Sequence, residues 1–216
     1  MNAHWMLIGC LQSDGCPILQ ARWIVALQAD ATTTFDAKTV IELGAGTGVP
    51  GLAALFYSTA AKVTLTDMFK LTMNNLRFNV ASNLKASDTR SYEDVEVASL
   101  DWACLDPATA GSFDVVLGSD LVYDDGAVAL LIGVVDHLLS PSGVFYLAAG
   151  GKRKGVTKLL ADLPGRGFSV ASLNAPAAYL GNPLASGDEN ELELHFNELG
   201  ENTFTLHAVT RVAVAN

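Results

Sequence analysis

Cysteine is scarce and scattered: Cys10, Cys16 and Cys104 are the three in 216 residues. An odd set without metal-ligand spacing gives neither a disulfide framework nor a zinc site. It reads as reduced thiols in an intracellular, cytoplasmic protein. The four histidines, His4, His137, His195 and His207, are dispersed and give no metal motif. Cations are few. Thirteen Lys plus Arg stand against 23 Asp plus Glu, a formal charge of −10. That deficit argues against tracking a nucleic-acid backbone or an anionic membrane, and it favours a basic partner. Long apolar runs are missing. The most apolar later stretch, Val128 to Leu139, is interrupted by Asp136 and His137 and is too short to span a bilayer. Met1 to Trp5 has no basic segment leading into an apolar run, so no signal peptide is expected. No serine or cysteine sits in a nucleophile elbow. No internal repeat or low-complexity tract occurs.

What is there is a chain 50 % hydrophobic and 17 % charged. That balance suits a layered fold around a buried parallel sheet. The length predicts one domain over 1–216, with a short leader, 1–15. Pro17 to Ala29 reads as a helix, Thr39 to Leu43 as a strand, and Val49 to Tyr57 as a helix. Lys62 to Thr66, rich in β-branched residues, reads as a second strand. A helix over Phe69 to Val80, ending near Asn83, follows. A third strand is expected within Asp94 to Leu100 and a fourth over Phe113 to Leu117. Asp125 to Leu139 reads as a helix stopped by Ser140-Pro141-Ser142-Gly143. Val144 to Ala148 is a fifth strand, and Lys152 to Leu163 another helix. Glu191 to Phe196 and Thr203 to Val209 both alternate strictly. They predict a terminal antiparallel hairpin with Asn197 to Asn202 as its turn. Strand–helix alternation closed by reversed last strands is a doubly wound α/β fold.

The densest signal lies between the first strand and its helix, at Gly44-Ala45-Gly46-Thr47-Gly48. A strand, a glycine turn and a helix bring backbone close to a ligand. A Walker loop needs Lys then Ser or Thr after its glycines, and neither is present. Gly46-Thr47-Gly48-Val49-Pro50-Gly51 does satisfy the dinucleotide spacing G-x-G-x-x-G, with Asp67 further on as a ribose partner. Glu42 counts against that reading. A carboxylate at the strand end repels a pyrophosphate and accepts from an ammonium group, which favours S-adenosyl-L-methionine. A nicotinamide-dependent oxidoreductase would also need a proton donor such as a placed Ser-Tyr-Lys, and none is recognised.

Four blocks then resemble a known family: Val40 to Leu55, Val63 to Asp67, Leu100-Asp101-Trp102, and Phe113 to Tyr123. Asn79-Val80-Ala81-Ser82-Asn83 is a fifth, weaker match. Together the chain resembles methyltransferase family 16, the methyltransferase-like 21 type of seven-stranded, S-adenosylmethionine-dependent protein lysine methyltransferases. The resemblance covers roughly residues 15 to 150. It implies a Rossmann-like, seven-stranded class I methyltransferase sheet with a terminal antiparallel hairpin. It implies transfer of a methyl group to a lysine of a basic or chaperone-like protein, by a monomer. A small-molecule N-methyltransferase and a cofactor-binding interaction protein with little turnover are the alternatives.

The cofactor-binding residues expected are Glu42, Gly44, Ala45, Gly46, Gly48, Asp67, Met68, Trp102 and Ser119. Glycine backbone lies against the methionine part, and Glu42 orders the loop or reaches the ammonium through water. Asp67 accepts from the ribose hydroxyls, Met68 lies against adenine or packs in the core, and Trp102 lines the adenine pocket. Asp120 and Tyr123 are the catalytic candidates, shaping the entrance for the acceptor amine. Their bland alternatives are a helix cap and the base of that helix. One departure stands out. The family carries a longer leader and a Trp-Pro pair at the first helix, whereas Cys16-Pro17 stands here. That points to weakened cofactor affinity, a truncated gene model or lost activity.

Overall fold

A central parallel strand is covered on both faces, and β1 (Thr39–Leu43) shows what this demands of the sequence. Val40, Ile41 and Leu43 are all at most 2 % exposed. Successive side chains point to opposite faces. Val40 therefore joins one core cluster, while Ile41 and Leu43 join the other. The same alternation runs through Phe145, Tyr146, Leu147 and Ala148. Burying each large side chain of this kind stabilises the fold by about 1.5–3 kcal/mol.

The computed structural model describes residues 15–30, 35–150, 154–180 and 203–213. The remaining elements are α1 (Cys16–Ala29), α2 (Val49–Tyr57), β2 (Lys62–Asp67), α3 (Lys70–Leu84), β3 (Val95–Ser99), β4 (Phe113–Ser119), α4 (Gly126–Leu138), β5 (Leu139–Gly150), α5 (Lys154–Asp162), β6 (Phe168–Asn174) and β7 (Phe204–Arg211). They build a seven-stranded sheet in the order β3-β2-β1-β4-β5-β7-β6. Residues of α1, α2 and α3 pack into the core on one face, and those of α4 and α5 into the core on the other. Trp23 anchors α1, with its ring edge-on to Tyr146 at 5.0 Å between centroids.

Three details differ from the sequence reading. The strand expected from Val144 starts at Leu139 and takes in Ser140-Pro141-Ser142-Gly143. The β4–β5 register shifts between Phe113 and Val115, so an irregularity absorbs those four residues. Phe168–Asn174 is a strand that the pattern left unassigned. Its Val170 packs partly against the core, but most of its residues are exposed. β7 is antiparallel to both β5 and β6. β6 therefore runs with the parallel strands, and β7 alone is reversed. The expected first hairpin arm, Glu191 to Phe196, lies outside the described residues.

This order fixes where a ligand can bind. From β1 the chain builds outward through β2 and β3 on one side and through β4 on the other. The carboxyl ends of β1 and β4 therefore flank the crevice at the topological switch.

Candidate active site

Three glycines at alternate positions follow β1, and all three hold positive φ: Gly44 at 54°, Gly46 at 55° and Gly48 at 81°. L side chains rarely adopt that region, so the loop has its shape because its residues lack Cβ. Backbone bonds fix it against the sheet. Ala45 N donates to Thr66 O at 2.8 Å, and Gly48 N donates to Ala45 O at 2.7 Å. Gly48 is also the N-cap of α2. Asp67, at the carboxyl end of β2, takes three amides. Its Oδ2 accepts from Gly46 N at 3.2 Å, and its Oδ1 from Met68 N at 2.8 Å and Phe69 N at 3.0 Å.

The loop is one wall of a cleft of about 540 Å³, a size suited to a small-molecule cofactor. Gly44, Gly46, Asp67, Met68, Trp102, Ser119, Asp120 and Tyr123 all line it. Eight of the eleven sequence-predicted residues are thus brought together. Glu42, Ala45 and Gly48 are not among the lining residues. Ala45 and Glu42 are buried behind the loop, and a Cβ on Gly48 would strike Leu76 Cδ2 at 2.8 Å. Cys16 is fully buried in the core, away from the cleft walls.

The sequence reading missed Phe69, Thr72, Leu100, Ala103, Leu121 and Leu130 as lining residues. It quoted Asp101 within a motif but gave it no role. Phe69, 65 % exposed at the N-cap of α3, was legible as a large apolar residue directly after the acid at a strand end. Leu130 sits in the middle of α4, and no local signal marks it.

Glu42 shows how strand alternation places a charge. It lies between Ile41 and Leu43, so it faces α2, opposite to their side of the sheet. It is 2 % exposed, and its Oε2 accepts from Gly51 N at 2.9 Å in the first turn of that helix. Gly51 is required there by space: a Cβ would meet Leu65 Cδ2 at 2.1 Å and Glu42 Oε2 at 2.5 Å. Burial pushes the Glu42 carboxyl up from 4.5 to about 8. The Gly51 amide pulls the other way, and the negative Asp67 adds to the rise. The folded protein therefore holds a proton that the unfolded chain releases at much lower pH. Stability from this group is lost as pH rises from about 4.5 to about 8. Glu42→Gln keeps an acceptor for the Gly51 amide and removes the titration. Thermal unfolding should show the variant losing less stability than wild type between roughly pH 6 and pH 9, and exceeding it by several degrees at the alkaline end. Parallel melting curves across that range would reject the assignment.

On the opposite wall β4 ends at Ser119, and Asp120 takes φ 53°. Its amide donates to Ala148 O at 3.0 Å. Aspartate tolerates this region better than most side chains, and strain of this kind clusters at functional sites. Asp120 is not the cap of the next helix. The N-cap is Asp125, and the side chain that takes the first amides is that of Asp124, whose Oδ1 accepts from Gly126 N at 2.7 Å and Ala127 N at 3.1 Å. Tyr123 is 66 % exposed at the cleft edge, so it does not form the packed base of α4. Ser119 Oγ is buried and has no hydrogen-bond partner among the described residues.

The charge of the cleft discriminates between ligands. Asp67, Asp101 and Asp120 line it, and among the described residues no Lys or Arg does. Such a set is unfavourable for a pyrophosphate and favourable for a cationic sulfonium and ammonium. Leu100, Trp102 and Met68 supply apolar surface for a base. A Cβ at Gly44 would meet Leu121 Cδ2 at 2.9 Å and Trp102 Cζ2 at 3.9 Å, so that part of the cradle exists because the side chain is missing. These residues fit S-adenosylmethionine.

Strand order, reversed β7, glycine loop after β1 and acid after β2 together define the seven-stranded methyltransferase class. Solved structures agree on the fold. The ribosomal protein L11 methylase from Lactobacillus delbrueckii subsp. bulgaricus superposes with a TM-score of 0.58 at 18 % identity, covering 90 % of this chain and 78 % of that one. The chain belongs to the lysine methyltransferase family, whose profile matches residues 16–164. It is 36 % identical over 115 residues to EEF1A lysine methyltransferase 3 of Mus musculus, covering 53 % of this chain and 46 % of that one. It is 33 % identical over 138 residues to protein N-lysine methyltransferase METTL21A of Danio rerio, covering 63 % and 60 %. The chain thus spans about half the length of the curated relatives it matches.

Proposed function

We propose that this protein is an S-adenosylmethionine-dependent methyltransferase acting on the side-chain amine of a lysine in a protein. The observation that carries the reading is the cleft itself: a glycine cradle, a carboxylate at the end of β2, an apolar wall and, among the described residues, no cation. Membership of the lysine methyltransferase family supports the acceptor. So does the pair of relatives named for lysine methylation of proteins. The excess of acids, 23 against 13 cations, favours a basic acceptor. We place the reaction in the cytoplasm and assign it to the monomer. Among the described residues no helix is long and apolar enough to cross a membrane.

When bound, S-adenosylmethionine supplies an activated methyl group on a sulfonium. The chain's own residues bind, align and exclude water. Asp67 offers carboxylate oxygen to a ribose diol, and Trp102 offers a broad wall to the adenine. Asp120 orients the acceptor amine beside Tyr123. That amine must arrive neutral, although its free pKa is about 10.4. Its proton leaves to bulk water before transfer; the apolar wall favours the neutral amine, while the carboxylates of the cleft pull the other way.

Asp67→Ala should weaken S-adenosylhomocysteine binding at least tenfold by titration calorimetry, since a charge-assisted contact contributes roughly 1.5–3 kcal/mol. Part of that loss arises through the freed Gly46, Met68 and Phe69 amides. An unchanged dissociation constant would sink the ribose assignment. The decisive test of function is incubation with methyl-labelled S-adenosylmethionine and a cell extract. A labelled band removed by protease is expected. Label recovered only in small molecules would make this a small-molecule N-methyltransferase. No turnover alongside normal cofactor binding would leave an interaction protein.

A further inference from the structure

Glycines at both ends of a peptide segment leave its planes free to turn, because glycine takes positive and negative φ almost equally well. Thr47 lies between Gly46 and Gly48, and the peptide joining it to Gly48 is held at its N–H from within the loop, by Gly48 N donating to Ala45 O at 2.7 Å. The carbonyl side of the same peptide is held from α3. Asn79, 4 % exposed, reaches back 32 positions in the chain, and its Nδ2 donates to Thr47 O at 2.9 Å. The amide orientation is fixed by that partner, since only the NH2 half can donate to a carbonyl. Asn79 is itself held: its own backbone carbonyl accepts from Asn83 Nδ2 at 2.9 Å.

The arrangement carries a cost. Asn79 Oδ1 is buried with no hydrogen-bond partner among the described residues. A buried polar atom left unpaired is destabilising, and an apolar residue of similar size would avoid it. Helix packing alone therefore gives no reason for asparagine here, whereas the donor half has a definite task. Asn79 does not line the cleft. Whatever it does for the site, it does through the loop.

We propose that Asn79 is a positioning residue. It holds the carbonyl of the Thr47–Gly48 peptide, whose N–H is held by Ala45 O, and so keeps the glycine loop in the form that receives the cofactor. The inference rests on the cofactor reading above. Other bonds restrain other parts of the same loop: Asp67 holds Gly46 N, and Thr66 O holds Ala45 N. Asn79 supplies a restraint on the Thr47 carbonyl.

The experiment compares Asn79→Leu with Val80→Ala on the full chain. Both are buried positions of α3, but Val80→Ala removes only packing. S-adenosylhomocysteine affinity is measured by calorimetry, and melting temperature on the same preparations. Asn79→Leu should weaken binding by about tenfold or more, the range expected from losing a directed hydrogen bond that preorganises a site. Val80→Ala should lower the melting temperature and leave the dissociation constant within about twofold. Asn79→Ala carries the same comparison should the leucine variant not fold. Asn79 variants that bind as well as wild type would overturn the inference alone. So would affinity losses in both positions that merely track loss of stability. A wild-type protein with no affinity for S-adenosylhomocysteine would overturn the cofactor reading, and this inference with it.

Discussion

Gly46→Val is expected to abolish cofactor binding while the protein stays folded. A Cβ built at Gly46 finds no atom within 4 Å, so the added side chain meets none of the surrounding protein at that point. Gly46 lines the cleft, and the valine methyls occupy space that a bound cofactor needs. The fold bears only the backbone term. A side chain at φ 55° costs about 1–2 kcal/mol, somewhat more when β-branched. For a chain of this length that lowers the melting temperature by several degrees, at roughly 2–4 °C per kcal/mol. Affinity for S-adenosylhomocysteine should fall by at least about 100-fold, beyond the loss from Asp67→Ala, because approach itself is blocked. Gly111 supplies the control. It has φ 63°, nothing lies within 4 Å of its built Cβ, and it is not a cleft residue. Gly111→Val should show a similar thermal penalty with normal affinity. Normal binding by Gly46→Val would remove the loop from the site and take the methyltransferase reading with it.

The second large effect falls on turnover. Asp120→Asn keeps a side chain that tolerates the left-handed region, so the bend after β4 survives. It replaces the carboxylate that would orient the acceptor amine by a neutral amide. Methyl transfer should drop by about 100-fold or more, the scale on which misplacing a reacting group costs rate. Affinity for S-adenosylhomocysteine should stay within a few-fold. Tyr123→Phe should lower turnover by a smaller factor, again with little change in cofactor binding. Both residues would act on acceptor and transition state, so the loss belongs in kcat and not in cofactor affinity. The assay uses the acceptor identified by labelling in extract. A purely structural role predicts the reverse pattern, a lower melting temperature and an unchanged rate per folded molecule. Unchanged turnover in both variants would move the acceptor site elsewhere.

The family, the fold class and most of the cleft were readable from local patterns. The β1 apolar run, the glycines at alternate positions and the β-branched run ending in Asp67 each encode their structure within a few residues. A short continuous apolar run marks a strand buried on both faces, and closely spaced glycines mark a tight turn. Gly44, Gly46, Asp67 and Asp120 could be named because each sits at the end of such a segment, and Trp102 because its neighbours carry the family resemblance. Chain order then placed the strand ends on one edge of the sheet.

Tertiary structure decided what depends on partners far away in the chain. β6 is a weak pattern made a strand by pairing with β7. The insertion of β7 between β5 and β6 is a long-range pairing that no local rule specifies. Glu42 could not be assigned to loop or ligand by sequence alone. Which face its side chain takes, and which helix covers that face, sets both its bond to Gly51 and its raised pKa. Asn79 belonged only to a weak family match until α3 packed beside the glycine loop. Sequence determines these side chains' chemistry, but burial and partner choice are properties of the assembled core. Only packing decides whether a carboxyl keeps its proton or an amide finds a carbonyl.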